Sequence, residues 1–483
     1  MNWLAGGWAN YRGLWLLLFF TLVVRGGLMI ARFGELRADP DDYHLVAHNL
    51  VRFACFSIED PVDVGSRSGD PAPSAYRPPL YPVILSNLAI GKDQIIHWES
   101  IALLHLALGL ATVWLTWLIA RALQLGWASY LAGGLVACDP ILLNQQSLIM
   151  TETLAALCTV VAWSLLLRFH FDRNWWNAAL AGGAIGLAAL CRPTFLPWLG
   201  VAAVVVFFLR PGVMSAAKGL NSKTVFASQR GLRFLNVLAL LVGGLGVMFP
   251  WGWRNYQTFQ QPLLTTTHGG YTLYLANNRH FYRYLREDQM GLPWNPRRQT
   301  RWTDMALSDA AAGEGILEYD MSFLTELALK RPLFYSGDRQ AEFVEDAFQS
   351  RAAWGAIRND PTGFVRAAAY RVRQLWSPLP YKLTADESIA RTLLRYLTAA
   401  WYLAVYALAI VGAYRLRWDL LRSPWLWGVL LCAIFTGVHL FYWCNLRMRA
   451  PLMPIVAVVA AAGALHLQQK RLKPADDTAD GPS

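Results

Sequence analysis

Ten apolar runs, each close to the length of a bilayer crossing, divide this chain and restrict what it can become. They fall near residues 14–32, 101–121, 127–143, 153–169, 177–191, 195–209, 234–252, 394–414, 424–442 and 451–468. A crossing takes roughly 20 mostly apolar residues, and its backbone groups must be satisfied within the segment. The expectation is an all-α polytopic membrane protein of about ten transmembrane helices. Composition agrees: 55% of the residues are apolar and 16% charged, against about 25% charged in soluble domains. Trp251, Trp253, Trp376, Trp401, Tyr402 and Trp443 fall near the ends of the runs and read as an aromatic belt. The first run has no small-residue cleavage site after it and reads as a retained span.

Charge orients the spans. The net charge is +11. The segment 210–233 carries Arg210, Lys218, Lys223, Arg230 and Arg233 and no acid. Arg415, Arg417 and Arg422 form a second basic cluster, and Lys470, Arg471 and Lys473 a third. Basic loops stay in the cytoplasm, so both termini are expected inside, in a multi-pass protein of the inner (cytoplasmic) membrane. Four parts follow. Residues 1–252 form an N-terminal transmembrane module that includes an outer loop, 33–100, with the candidate active site. Residues 253–393 form an extracytoplasmic segment, mostly helical. Residues 394–468 are C-terminal transmembrane helices, and 469–483 a polar cytoplasmic tail. The basic residues are dispersed among apolar runs, which fits contact with membrane lipids and not nucleic acid. None of the six cysteines forms a CxxC pair, so neither a disulfide framework nor a zinc ribbon is indicated.

The first outer loop holds the most informative residues. Asp39-Pro40-Asp41-Asp42 precedes an amphipathic stretch in which Tyr43, Val46, Ala47, Leu50 and Val51 keep helical spacing, with Asn49 and Arg52 among the polar positions. This helix is expected in the interface plane. Capping and dipole effects alone explain the acidic cluster. The alternative is that one carboxylate faces a site as general base. Next, Arg77-Pro78-Pro79-Leu80-Tyr81-Pro82 starts a second interfacial helix running to about Ile90. Its prolines stop one segment and start the next; equally, they stiffen the backbone that carries Arg77, a residue suited to phosphate.

Elsewhere the readings are plainer. Arg25 interrupts the first run and is expected to snorkel to the outer interface. Glu152 opens a span, where it either orients a cation or favours the helix dipole. Arg192 precedes Pro193 as a turn cation, and His268 reads as a loop residue. His44 and His48 are four apart, but no HExxH is present, so a metal is not favoured. Asn277-Asn278 is either a turn or a contact for sugar hydroxyls. Helical periodicity runs from Met321 to Arg358, Asn359-Asp360-Pro361 breaks it, and Thr362 is the expected cap of a helix over 363–376.

The loop sequence ADPDDYHLVAHNL followed by AYRPPLYP resembles the first outer loop of GT-C superfamily glycosyltransferases. The nearest branch includes protein O-mannosyltransferases and lipid A aminoarabinose transferases. There an Asp is followed four residues on by a Tyr, then by an amphipathic helix and a Lys- or Arg-Pro-Pro turn. Asp39, Tyr43 and Arg77-Pro78-Pro79 match that pattern, which selects Asp39 over Asp41 and Asp42. Asp139-Pro140 with Thr151-Glu152, and Leu190-Cys191-Arg192-Pro193, resemble further landmarks of the family. So do Pro250-Trp251-Gly252-Trp253-Arg254-Asn255-Tyr256, Gly269-Gly270 with Asn277-Asn278, and Arg447-Met448-Arg449-Ala450-Pro451. The resemblance covers about residues 14–465. It departs in having fewer spans and a smaller outer domain than many members. Asp39-Pro40-Asp41 also resembles the DxD of metal-dependent oligosaccharyltransferases.

The resemblance implies an inverting glycosyltransferase that takes one sugar from a polyprenyl phosphate on the extracytoplasmic face. The acceptor is a lipid, glycan or protein hydroxyl or amine, and no cofactor is required. It implies Asp39 as base, with Asp41 and Asp42 as alternatives. Tyr43, Arg77, Arg254, Asn278, Arg447 and Arg449 bind the donor phosphate or sugar, and Glu152 and Arg192 support them. Two other classes compete. A secondary transporter usually shows inverted repeats and broken helices at mid-membrane, and no repeat is present. A non-catalytic envelope assembly protein has no need to place Asp39 near Arg77.

Overall fold

The computed structural model describes residues 12–60, 71–91, 95–209, 222–286, 341–382 and 387–472. Helices build it. Among the described residues the only strands are β1 (Ala89–Ile90) and β2 (Ile95–Ile96), a two-residue antiparallel pair. Among the described residues six helical stretches are long and apolar enough to cross a membrane: Arg12–Ala31, Trp98–Ala122, Glu152–Phe171, Arg230–Phe259, Ile389–Leu421 and Leu446–Lys470. The other four expected spans coincide with shorter apolar helices, Ala128–Ala137, Trp175–Cys191, Pro193–Phe208 and Leu426–Val438. The fold class is therefore the expected one, while only six of the ten runs reach spanning length.

In chain order the helices are α1 (Arg12–Ala31), α2 (Tyr43–Phe53), α3 (Leu80–Ser86), α4 (Trp98–Ala122), α5 (Ala128–Ala137), α6 (Pro140–Gln145) and α7 (Glu152–Phe171). Next come α8 (Trp175–Cys191), α9 (Leu196–Phe208), α10 (Ser222–Phe259), α11 (Gly269–Ala276) and α12 (Arg279–Arg286). The last are α13 (Ala341–Asn359), α14 (Pro361–Trp376), α15 (Ile389–Leu416), α16 (Leu426–Val438) and α17 (Met453–Leu472).

Small residues set the closest helix pairs. A Cβ on Gly182 of α8 would stand 1.9 Å from the Leu240 carbonyl oxygen of α10. One on Gly412 of α15 would stand 2.0 Å from the Val459 oxygen of α17. Lipid offers no hydrophobic drive between spans, so backbone-to-backbone approach of this kind supplies much of the attraction.

The two helices of the first loop dock on protein. Tyr43, Val46 and Ala47 of α2 and Tyr81 and Leu85 of α3 are buried in one core with Ile101 of α4 and Leu190 of α8. The apolar stripe of α2 therefore faces the bundle instead of lying on lipid. Asn49, expected among the polar positions, is buried too; its Nδ2 donates to the carbonyls of Ser57 (3.0 Å) and Glu59 (2.9 Å) and fastens the following loop. The second helix is short: α3 begins at Leu80, ahead of Pro82, and ends at Ser86.

Two further expectations are corrected. Arg25 does not snorkel. It is fully buried, donating to Gln146 Oε1 (3.1 Å) and the Val136 carbonyl (2.8 Å), because a gap over Gly109 accommodates its stem inside the bundle. The cap of α14 is Asp360, not Thr362. The Asp360 carboxylate accepts from the Gly363 amide at 2.8 Å, and the Thr362 hydroxyl donates to it instead of to the helix. Residues 321–340 of the expected long helix lie outside the described residues, and α13 accounts for its second half.

Candidate active site

Asp39 lies on the turn that enters α2. Its carboxylate accepts three amides of the first helical turn: Tyr43 (2.9 Å), His44 (2.8 Å) and Leu45 (3.1 Å). Burial raises its pKa to about 6 against the pull of those amides, Leu45 and His44 first. Asp42 follows in left-handed conformation at φ 59°, which turns the chain sharply into the helix. Burial also raises the Asp42 pKa, opposed by the charge of Arg77.

Between them, Asp41 meets two cations. Its Oδ1 lies 3.5 Å from Arg77 Nη2, and its Oδ2 lies 3.5 Å from Arg447 Nη1. Arg447 in turn reaches Glu152 Oε1 through Nε at 3.6 Å, and Arg192 Nη1 reaches the same oxygen at 3.0 Å. Arg77, Asp41, Arg447, Glu152 and Arg192 thus form an alternating row of three guanidiniums and two carboxylates, carrying one positive charge in excess. The row draws on the first loop, the start of α7, the end of α8 and the 3-10 turn Leu446–Leu452. Proximity is not matched by hydrogen bonding. Arg77 Nε, Arg447 Nε, Arg192 Nη1 and Glu152 Oε2 are buried and make no aligned hydrogen bond. Buried polar atoms are normally paired, so this row holds unused donors.

Arg77 is held from several sides. Pro78 and Pro79 follow it, and Pro79 caps α3. Tyr43 and Tyr76 present rings 5.7 Å and 5.2 Å from its guanidinium. Burial works against its charge, but Tyr43, Asp41 and Tyr76 outweigh it and hold its pKa above the ordinary value. The strand of backbone before Arg77 is clamped. Glu342 of α13 accepts the Ser74 hydroxyl and, at 2.8 Å, the Ala75 amide, while Arg254 donates to the Ser74 carbonyl at 2.8 Å. Behind Tyr76 sits His268, with ring centroids 4.3 Å apart in an edge contact. Burial, aided by Arg77, pushes the His268 pKa down to about 3, so the imidazole stays neutral.

Three expected binders lie off this row. Arg254 donates to backbone carbonyls of the first loop and packs on Trp251, 5.1 Å from its ring. Asn278 turns α11 into α12: Oδ1 accepts the Phe281 amide (2.8 Å) and Nδ2 donates to the Tyr274 carbonyl (3.0 Å). Arg449 is buried, donating to the carbonyls of Leu375 (2.9 Å) and Ser377 (2.5 Å), with Tyr402 beneath it at 4.2 Å. Sequence reasoning missed the clamp by Glu342, which no local motif marks. It also missed Arg371, buried and donating to the carbonyls of Ala276, His439 and Leu440. The spacing Ala367, Ala368, Arg371, Leu375 on one face of α14 was the available signal. Among the described residues no three His, Cys, Asp or Glu side chains gather as a metal cage, and His44 stacks on Trp98 at 4.4 Å.

Comparison with known proteins agrees with this architecture. Residues 77–227 match the sequence model of the dolichyl-phosphate-mannose-protein mannosyltransferase family. Among curated proteins no sequence match is found. Among solved structures, the chain is similar to the archaeal oligosaccharyltransferase AglB from Archaeoglobus fulgidus, in complex with an inhibitory peptide and a dolichol-phosphate. Identity is 14% and the TM-score 0.52, over 96% of this chain and 51% of that one. This chain thus spans about half the length of that enzyme. The fold is that of a polytopic membrane protein of the GT-C type. The family match covers under a third of the chain, and the structural similarity is one of fold.

Proposed function

We propose that this protein is an inverting glycosyltransferase that moves one sugar from a polyprenyl-phosphate donor to an acceptor on the extracytoplasmic face. The observation that carries the reading is the row of Arg77, Arg447 and Arg192, three cations with donors left over and only two carboxylates between them. When the bond from sugar to phosphate breaks, negative charge grows on the departing lipid phosphate. Fixed guanidiniums in a site shielded from water stabilise that charge more than water does. Asp41 holds Arg77 and Arg447 in place until the phosphate takes over their donors, and Glu152 does the same for Arg447 and Arg192.

Asp39 is the base in this reading. A carboxylate has about four acceptor positions, and the amides of Tyr43, His44 and Leu45 occupy three. One remains for the acceptor's proton. With its pKa lifted to about 6, Asp39 is ionised at neutral pH yet more basic than an ordinary aspartate, which is the setting general-base catalysis favours. The acceptor attacks the anomeric carbon from the side opposite the phosphate, so configuration inverts. Tyr43 and Arg77 contact the donor; Arg254, Asn278 and Arg449 hold the backbone around it. In this reading the termini lie in the cytoplasm and the site on the other face, as the basic clusters favour, and the scheme uses no metal.

The test uses the purified full chain in sealed proteoliposomes with a panel of labelled polyprenyl-phosphate sugars. Release of free polyprenyl phosphate, dependent on Arg77, supports the transferase. Movement of the intact donor across the bilayer without cleavage supports the transporter instead.

A further inference from the structure

A cleft lies beside the row of charges. Its volume is about 810 Å³, within the size range of small-ligand pockets. The end of α14, the chain after it as far as Lys382, Arg395 of α15 and the chain just ahead of the 3-10 turn line it. Tyr370, Trp376 and Tyr381 supply aromatic faces, and Arg373 and Lys382 supply positive charge. No carboxylate is among the residues that line it. A third cation, Arg395, is already paired with Glu387 at 3.2 Å, whereas among the described residues Arg373 and Lys382 have no ion-pair partner.

The cleft and the row share a wall. Asn445 lines the cleft, and its Oδ1 accepts the Arg447 amide at 3.1 Å. Ser377, also in the lining, gives its carbonyl to Arg449 at 2.5 Å. A ligand seated here is therefore separated from Arg447 only by the short segment that carries it.

We infer that this cleft binds an acidic sugar of the acceptor, one bearing a phosphate or carboxylate. The inference rests on the transferase reading for the word acceptor, and on the cleft alone for the chemistry. Flat aromatic faces take the apolar side of a sugar ring, and two unpaired cations over an acid-free lining select an anion. A neutral sugar leaves Arg373 and Lys382 unanswered, and inorganic phosphate makes no use of the rings.

Saturation-transfer NMR on the full chain in phosphatidylcholine nanodiscs tests this, with mannose 6-phosphate and mannose as probes. We expect saturable transfer to the ring protons of mannose 6-phosphate, weakened at least tenfold in the double variant R373Q/K382Q, and a weaker response from mannose. Tyr381→Ala should weaken both sugars. Equal response from the two sugars, no response, or a response unchanged in R373Q/K382Q would overturn the inference. Loss of the sugar signal on adding phosphatidylglycerol would also overturn it, by making the cleft a lipid headgroup site. The two readings fail separately. Cleft binding without release of polyprenyl phosphate sinks the transferase, and release without cleft binding sinks the cleft.

Discussion

Asp41 and Arg447, drawn from opposite ends of the chain, stand 3.5 Å apart, and Asp41 reaches Arg77 at the same distance. Asp39, the residue matched by family spacing, pairs with no cation among the described residues and faces the amides of α2 instead. In the proposed mechanism the two aspartates have separable tasks. Asp41→Asn removes the anion that competes with a phosphate for Arg77 and Arg447. It should lower the donor KM several-fold and leave kcat within about tenfold. Steady-state kinetics check this, and abolished turnover would transfer the role of base from Asp39 to Asp41.

The pKa of Asp39 sets a pH dependence with a definite sign. Its folded value is raised to about 6 from an ordinary 3.8. Transfer should therefore increase as pH rises through about 6, following the ionised base. Stability should move the other way. A raised folded pKa means that the contribution is complete below the unfolded value and is lost as pH climbs through about 6. In Asp39→Asn, transfer should collapse, and the part of the Tm change between pH 4 and 7 that belongs to Asp39 should vanish.

Much of this was legible in the sequence, for reasons that differ by residue. Apolar runs report spans because lipid punishes any unsatisfied backbone, so the helices fell where expected. The Asp39, Tyr43 and Arg77 pattern was legible because it is local: a cap, a helix and a proline turn. Asp41 as the joint partner of Arg77 and Arg447 was not legible, since nothing in residues 39–42 says which carboxylate meets a side chain from the far end of the chain. Arg25 misled for a related reason. A charge near the end of a run reads as snorkelling unless one knows that Gly109, Gln146 and the Val136 carbonyl form a slot for it.

Arg447 and Arg449 are two residues apart and should behave oppositely. Arg447 ends among carboxylates, so Arg447→Gln should raise the donor KM tenfold or more with little change in Tm. Arg449 satisfies the carbonyls of Leu375 and Ser377. Arg449→Gln leaves buried acceptors unpaired, at about 1–3 kcal/mol each, and should reduce Tm and yield. Thermal unfolding beside kinetics on both variants separates the roles.

Glu342 acts on the site from a distance. Glu342→Ala removes the acceptor for the Ser74 hydroxyl and the Ala75 amide, and frees the backbone that leads into Arg77. Transfer should fall about tenfold or more through kcat, because a misplaced cation stabilises the departing phosphate poorly. Glu342→Gln keeps an acceptor oxygen and should recover part of the loss. Equal activity in all three proteins would show that the clamp has no bearing on Arg77.

A structure of the full chain with polyprenyl phosphate bound tests the central claim most directly. The account predicts phosphate oxygens at hydrogen-bond distance, about 3 Å, from the guanidiniums of Arg77 and Arg447, with Asp41 displaced from both and Asp39 facing the empty position of the sugar. A phosphate seated elsewhere, with the pairs from Asp41 to Arg77 and Arg447 still intact, would contradict it.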